Sequence, residues 1–177
     1  QALAGMWGWQ VTEDFALTTA LRYDALQLER TGTIPPFVPF TLDDYDREID
    51  ELSFNVGGVY RLTDRDSLRL TVARGAGLPS LIDLGYSLTV SAGGILALVS
   101  GDPTIAPLVV YNAEAGWDRD IGAINGRLRT AVFWQRNEDL RSFGARREFI
   151  SLMPPVIAAL PANIGESDMY GVEARLE

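Results

Sequence analysis

From Phe15 the odd positions read Phe15, Leu17, Thr19, Leu21 and Tyr23, and the even positions Ala16, Thr18, Ala20, Arg22 and Asp24. One face is apolar and the other small or polar, the period-two pattern of a β-strand between an apolar and a watery surface. The pattern recurs with Leu52, Phe54, Val56, Gly58, Tyr60 and Leu62 against Ser53, Asn55, Gly57, Val59 and Arg61. Leu68, Leu70 and Val72 oppose Arg69, Thr71 and Ala73; Leu128, Thr130, Val132 and Trp134 oppose Arg129, Ala131, Phe133 and Gln135. Tyr170, Val172, Ala174 and Leu176 oppose Gly171, Glu173, Arg175 and Glu177, while 2–10 and 108–118 alternate less sharply. About seven strands are predicted, over 2–10, 15–30, 49–62, 67–77, 108–118, 126–142 and 164–177. No long stretch repeats apolar residues at helical spacing, so the fold class is all-β and antiparallel.

The connections alternate in length. Those around 12–14 and 63–66 are short, that over 118–125 is short to moderate, and those over 31–48, 78–107 and 143–163 are long. Transmembrane barrels show this order, with tight periplasmic turns and long outer loops, whereas a soluble β-sandwich has no reason to place every long loop at one end. Several runs also reach the ~9–11 residues that a tilted strand needs to cross a bilayer. Trp7, Trp9, Phe15, Tyr23, Tyr60, Tyr111, Trp117, Trp134 and Tyr170 fall near strand ends, as interfacial girdles do. The chargeless stretch Leu84–Gly101 contains four Gly and four Ser or Thr. It suits a hairpin turning at Gly93-Gly94 better than a membrane helix.

Composition narrows the chemistry. The 177 residues include no Cys and no His, and all fifteen cations are Arg. That removes disulfides, Cys-based metal sites, the commonest zinc ligand and a Ser-His triad within this stretch. A net charge of -9 opposes nucleic-acid binding.

Four segments carry a family resemblance. Ser67-Leu-Arg-Leu-Thr-Val-Ala-Arg-Gly-Ala-Gly-Leu-Pro-Ser80 resembles the strand, Arg-Gly and Pro-Ser segment of TonB-dependent outer-membrane receptors. Gly101-Asp-Pro-Thr-Ile-Ala-Pro107 with Tyr111-Asn-Ala-Glu-Ala-Gly116 is similar to their Gly-Asn-Pro…Glu-x-Gly segment. Leu128 to Asp139 resembles the next strand, and Asn163-Ile-Gly-Glu-Ser-Asp-Met-Tyr-Gly-Val-Glu173 their Tyr-Gly-Val-Glu strand. Asp102 stands where Asn is usual, and Leu108 where Glu commonly follows the second Pro. The resemblance implies a large barrel around an N-terminal plug in the Gram-negative outer membrane, in contact with lipid and lipopolysaccharide. It would import a small scarce nutrient such as a ferric siderophore or other metal chelate, driven by the TonB complex, with no bond chemistry. Barrels of this kind close with about 22 strands, and single-chain bacterial barrels use even numbers. The chain is therefore expected to be a partial barrel that does not close alone. Plug, TonB-contacting segment and final strands are expected to lie outside it.

Candidate sites are few. Gly75-Ala-Gly-Leu-Pro-Ser80 superficially suggests a nucleotide loop but lacks a third Gly, and reads as a strand exit. Asp43–Glu51 packs six acids into nine residues, without the Gly of a tight cation-binding turn, and reads as a solvated loop base. Glu114, Asp118, Glu173 and Glu177 are expected to line the lumen. Arg146 and Arg147 are the candidate ligand contacts, suited to an anionic chelate or to lipopolysaccharide phosphate. The outer segments Ile34–Phe40, Ile95–Val99 and Phe149–Leu160 are unexpectedly apolar. Either they pack together as an apolar vestibule, or the strands extend beyond the membrane and cover one another. Competing functions are a porin or autotransporter barrel, a barrel hydrolase and a soluble sandwich; the Gly-Asp-Pro and Tyr-Gly-Val-Glu segments and the missing His weigh against the first two.

Overall fold

The computed structural model describes residues 1–177, apart from the side chain of Ala92. Nine strands form one sheet: β1 Ala2–Gln10, β2 Phe15–Leu28, β3 Arg47–Arg61, β4 Asp66–Gly77, β5 Ser87–Ala92, β6 Ile95–Ser100, β7 Leu108–Ile121, β8 Gly126–Leu152 and β9 Pro155–Leu176. Their order is β1-β2-β3-β4-β7-β8-β9-β6-β5, so the sheet is open at both ends. One short helix, α1 Leu81–Gly85, and two 3-10 turns complete the fold. No helix is long and apolar enough to cross a membrane.

Seven of the strands make an antiparallel wall in the order β1, β2, β3, β4, β7, β8, β9. They coincide with the seven expected from alternation. The additional pair, β5 and β6, is the hairpin expected at Gly93-Gly94, where both residues have positive φ (60° and 81°). Such a turn needs two residues free of a Cβ penalty, and its twist matches that of the flanking strands. A larger departure lies at 143–163. This segment is no loop: β8 runs to Leu152 and β9 starts at Pro155, so the two strands extend together past the expected ends at 142 and 164. Their pairing slips between Asn137 and Leu140, Leu140 and Arg141, Ser142 and Arg146, and Phe149 and Ser151, which bends the extension away from a straight ladder.

Directly opposed residues share a face, so the register sorts the wall into two surfaces. One row reads Thr19, Val56, Val72, Ala113, Trp134 and Tyr170; the adjacent row reads Leu17, Gly58, Leu70, Ala115, Val132 and Val172. This apolar surface is exposed: Leu70 is 58% accessible, Val132 53% and Val172 78%. Large apolar side chains standing open in rows mark a surface built to meet a membrane or another apolar surface. Phe15, Tyr60 and Trp117 lie towards the short turns, and Tyr23, Tyr111, Trp134 and Tyr170 towards the long connections. Phe15 to Tyr23 is eight steps, about 26 Å of strand. At a tilt of ~40° this gives about 20 Å of depth, near the ~25 Å apolar band of outer-membrane barrels.

The opposite surface carries Arg22, Asn55, Arg69, Thr71, Glu114, Asp118, Arg129 and Glu173. Here Phe133 lies over Gly171, where an added Cβ would come within 2.2 Å of its ring. The glycine makes room for the aromatic to lie flat on its cross-strand neighbour. At the short-turn end, Asp14 pairs with Arg61 at 2.9 Å, Asp66 with Arg119 at 3.4 Å and Asp120 with Arg127 at 2.6 Å. These exposed pairs give the rim a polar finish more than stability.

Candidate functional site

The polar wall face gathers the four carboxylates expected at the lumen. Arg69 reaches Asp118 at 3.1 Å and Glu114 at 3.4 Å, and lies over Gly116, its partner across the ladder. Arg175 holds Glu177 at 2.9 Å, and Glu173 stands opposite Ala131. Carboxylates alternate with guanidiniums, which partly neutralises this face while keeping it polar. The acidic run at 43–51 disperses. Asp44 turns back to accept from the Thr41 N–H and hydroxyl at 2.6 and 2.8 Å, and Glu51 pairs with Arg74 at 2.8 Å. Among the described residues no group of acids is arranged to hold a metal ion. Gly75–Gly77 completes β4, and Ser80 caps α1, consistent with a strand exit.

At the outer end the three apolar segments pack together. Leu98, Val156, Ala158 and Leu160 are buried in one cluster, against Phe37, Val38, Phe40, Leu96 and Ile150. A second cluster joins Leu28 at the top of β2 to Tyr45 and Leu84, with Ile34 and Phe40 alongside. Between them, β6 pairs in parallel with β9, Leu96 to Val99 against Val156 to Ala159. Both sequence alternatives are thus partly realised. The segments do meet, and the strands do extend and cover one another, forming a solid cap with its own core.

The cap's polar ties are local and long-range together. Ser80 and Asp83 form a capping box at the start of α1, and Arg141 reaches Asp83 at 3.3 Å. Asp102, almost wholly buried, accepts from the Thr104 N–H and hydroxyl and pairs with Arg146 at 2.9 Å. Arg146 also lies 2.9 Å from Glu148, but with poor hydrogen-bond geometry at its Nε, and over the Phe40 ring. Both distances show charge proximity; Asp102 is almost wholly buried and Glu148 is 40% exposed, so Asp102 depends more on the guanidinium. Arg30 stacks 4.9 Å from the Tyr45 ring centre. Burial pushes the Tyr45 hydroxyl up, opposed by Arg30.

Burial pushes the Asp83 carboxyl up, but the Ser80 N–H and hydroxyl with Arg141 more than offset this and hold it below its ordinary 3.8. Asp44 is held low by Thr41. A depressed carboxyl stabilises the fold fully above its unfolded pKa and loses that contribution as pH falls through the folded value. Protection of the amides in 81–86, taken relative to their intrinsic exchange, is therefore expected to hold above the ordinary 3.8 of Asp83 and to fall below it, with Ser80→Ala already less protected at neutral pH.

Opposite its buried face, the cap sheet presents a second, exposed one. Register places Leu88, Val99, Ala159 and Arg147 in one row, and Val90, Ala97, Ile157 and Phe149 in the next. Phe149 is 58% accessible, and Leu88 and Val90 are each 47% accessible. Arg147 is the charged group in these rows, and no ion pair holds it among the described residues. Arg146 and Arg147 therefore point to opposite faces of β8: the first is tied to Asp102 in the cap interior, the second is open. The exposed apolar rows could not be read from sequence, because the parallel β6–β9 pairing that assembles them joins residues some sixty positions apart.

Comparison with known proteins supplies the wider frame. A family model described as TonB dependent receptor-like, beta-barrel, matches residues 1–177. No curated protein matches by sequence. Among solved structures, the siderophore receptor PirA of Pseudomonas aeruginosa superimposes with a TM-score of 0.69 at 14% identity, covering 99% of this chain and 30% of that one. The ferric enterobactin receptor PfeA of the same organism (an R480A/Q482A mutant) gives 0.67 at 15%, covering 98% and 23%. The hemophore receptor HasR of Serratia marcescens, solved with its hemophore HasA and heme, gives 0.63 at 15%, covering 99% and 31%. At such identities the likeness speaks for the fold, and the chain spans less than a third of each receptor.

Proposed function

Because the chain belongs to the TonB-dependent receptor β-barrel family, we propose that it forms part of the barrel of a receptor importing an iron chelate, most specifically a ferric siderophore, across the Gram-negative outer membrane. The wall supplies seven strands of the barrel, with the apolar rows against lipid and the Arg69–Asp118 face towards the lumen. The observation that carries this reading is the pairing of such a two-faced wall with a packed outer cap, superimposable over its length on siderophore receptors. The solid cap contributes one side of the outer mouth, and its exposed apolar rows with Arg147 supply a surface for ligand capture. Arg147 meets anionic groups of the chelate; Arg146, already engaged by Asp102, is the weaker contact. A plug inside the lumen, contact with the TonB complex and lipopolysaccharide around the wall belong to the same proposal. The role of this chain is binding and passage, without catalysis.

The test is uptake of radioactive iron, supplied as ferric siderophores, by cells carrying the full-length receptor. Uptake is expected to require TonB, and Arg147→Ala to weaken binding about tenfold, as loss of a charge-assisted contact does. TonB-independent diffusion of small solutes through the receptor would instead identify a porin-like channel.

A further inference from the structure

Near the short-turn end, the membrane face of the wall holds an apolar depression of about 600 Å³. The register shows how it arises. The row Leu17, Gly58, Leu70, Ala115, Val132, Val172 has no side chain at Gly58 and only a methyl at Ala115. The row below it is bulkier, with Tyr60, Leu68 and Trp117. Phe15 leans over Gly58, where an added Cβ would lie 3.1 Å from its ring. The result is a hollow closed below by aromatics and open towards the hydrocarbon.

One row lower, Asp66, Arg119, Leu128 and Leu176 share the same face. Arg119 stands two residues beyond Trp117, its guanidinium 6.0 Å from the indole centre, with one nitrogen 3.4 Å from Asp66. That carboxylate already accepts from the Trp117 indole N–H at 3.2 Å and the Thr63 hydroxyl at 2.8 Å. The Arg119 side chain is half exposed, and its remaining donors are unengaged among the described residues.

We propose that this depression seats one acyl chain of a periplasmic-leaflet phospholipid, with the lipid phosphate on Arg119. The hollow is continuous with the band that already meets the hydrocarbon, which makes a soluble partner the wrong occupant. It lies at the end of the wall where the turns are short, opposite the leaflet that holds lipopolysaccharide. Arg119 to Ala115 is four steps, about 13 Å of strand. At a tilt of ~40° this sets the guanidinium about 10 Å below the hollow, as a phosphate sits relative to the first part of its acyl chain. Tyr60 and Trp117 occupy the intervening interface, where aromatic rings are favoured. A guanidinium fits phosphate through paired donors.

Native mass spectrometry of the full-length receptor, extracted in detergent and mixed with palmitoyl-oleoyl phosphatidylglycerol, tests this without reference to iron import. One lipid is expected to remain per receptor. Ala115→Leu, which fills the hollow, and Arg119→Gln, which removes the charge, should each lower its occupancy about tenfold, while Arg119→Lys retains most of it. Leu21→Val, distant on the same face, should change nothing. If Ala115→Leu assembles poorly, the Gln and Lys variants decide the question alone. Retention insensitive to Arg119, an equal fall in Leu21→Val, or lipopolysaccharide held in place of phospholipid would overturn the assignment.

Discussion

Leu160→Ala in the full-length receptor is expected to weaken the outer cap by about 2–5 kcal/mol, the cost of a buried Leu truncation that leaves a cavity. Leu160 is fully buried against Leu98, Val156 and Ala158, beside the β6–β9 pairing. The cap is a small layer with its own core, joined to the wall through β8, β9, the top of β2 and the connections 29–46, 78–86 and 101–107, and it is expected to open by itself while the wall persists. Hydrogen exchange should therefore quicken for the amides of 95–100 and 156–160 and stay unchanged for 128–136. Exchange that quickened equally in both regions would mean that cap and wall unfold as one unit. Exchange unchanged in both would mean that the Leu160 cluster does not hold the cap.

The second large effect lies in the wall. Val132→Arg puts a guanidinium in the middle of the apolar rows, and is expected to cost about 2–4 kcal/mol of folding free energy in a bilayer. Ala131→Arg, one residue earlier, places the same group on the polar face opposite Glu173, and should cost far less. Denaturant titration in lipid vesicles, read by heat-modifiable gel mobility, compares the two. Equal costs would contradict the assignment of faces.

Alternation made the wall legible from sequence. Each wall strand separates an apolar from a polar environment, so its side chains record the period directly, and all seven wall strands were readable, with ends within about three residues except where β8 and β9 extend together by nine or ten. The hairpin at Gly93-Gly94 was readable for a different reason: two positive φ angles demand those glycines. The outer halves of β8 and β9 were not. Val156, Ala158 and Leu160 are buried while Ile157 is exposed but also apolar, so no contrast marks the two faces. Pro154, Pro155 and Pro161 further suggest a loop. The cap was only half readable, since the apolar character of its segments foretold packing but not the parallel pairing or the Asp102–Arg146 tie. Arg146 and Arg147, adjacent in sequence, looked equivalent; only the strand extension separates them onto opposite faces.

Cap and wall thus divide the work by solvent. In the proposed receptor the wall would meet lipid and lumen with its alternating chemistry, whereas the cap hides one apolar face under 34–40 and leaves the other open with Arg147. The division rests on one claim, that even-numbered residues of β8 from Leu128 to Trp134 face lipid and odd-numbered ones the lumen. The chain contains no cysteine, so single Cys substitutions at each of 128–135, in the full-length receptor with any cysteine elsewhere replaced, can carry a spin label after reconstitution in vesicles. Collision rates with membrane-dissolved oxygen and with a water-soluble nickel chelate should then alternate residue by residue, oxygen favoured at 128, 130, 132 and 134 and the chelate at 129, 131, 133 and 135. Uniform access of the chelate along the whole segment, or alternation in the opposite phase, would contradict it.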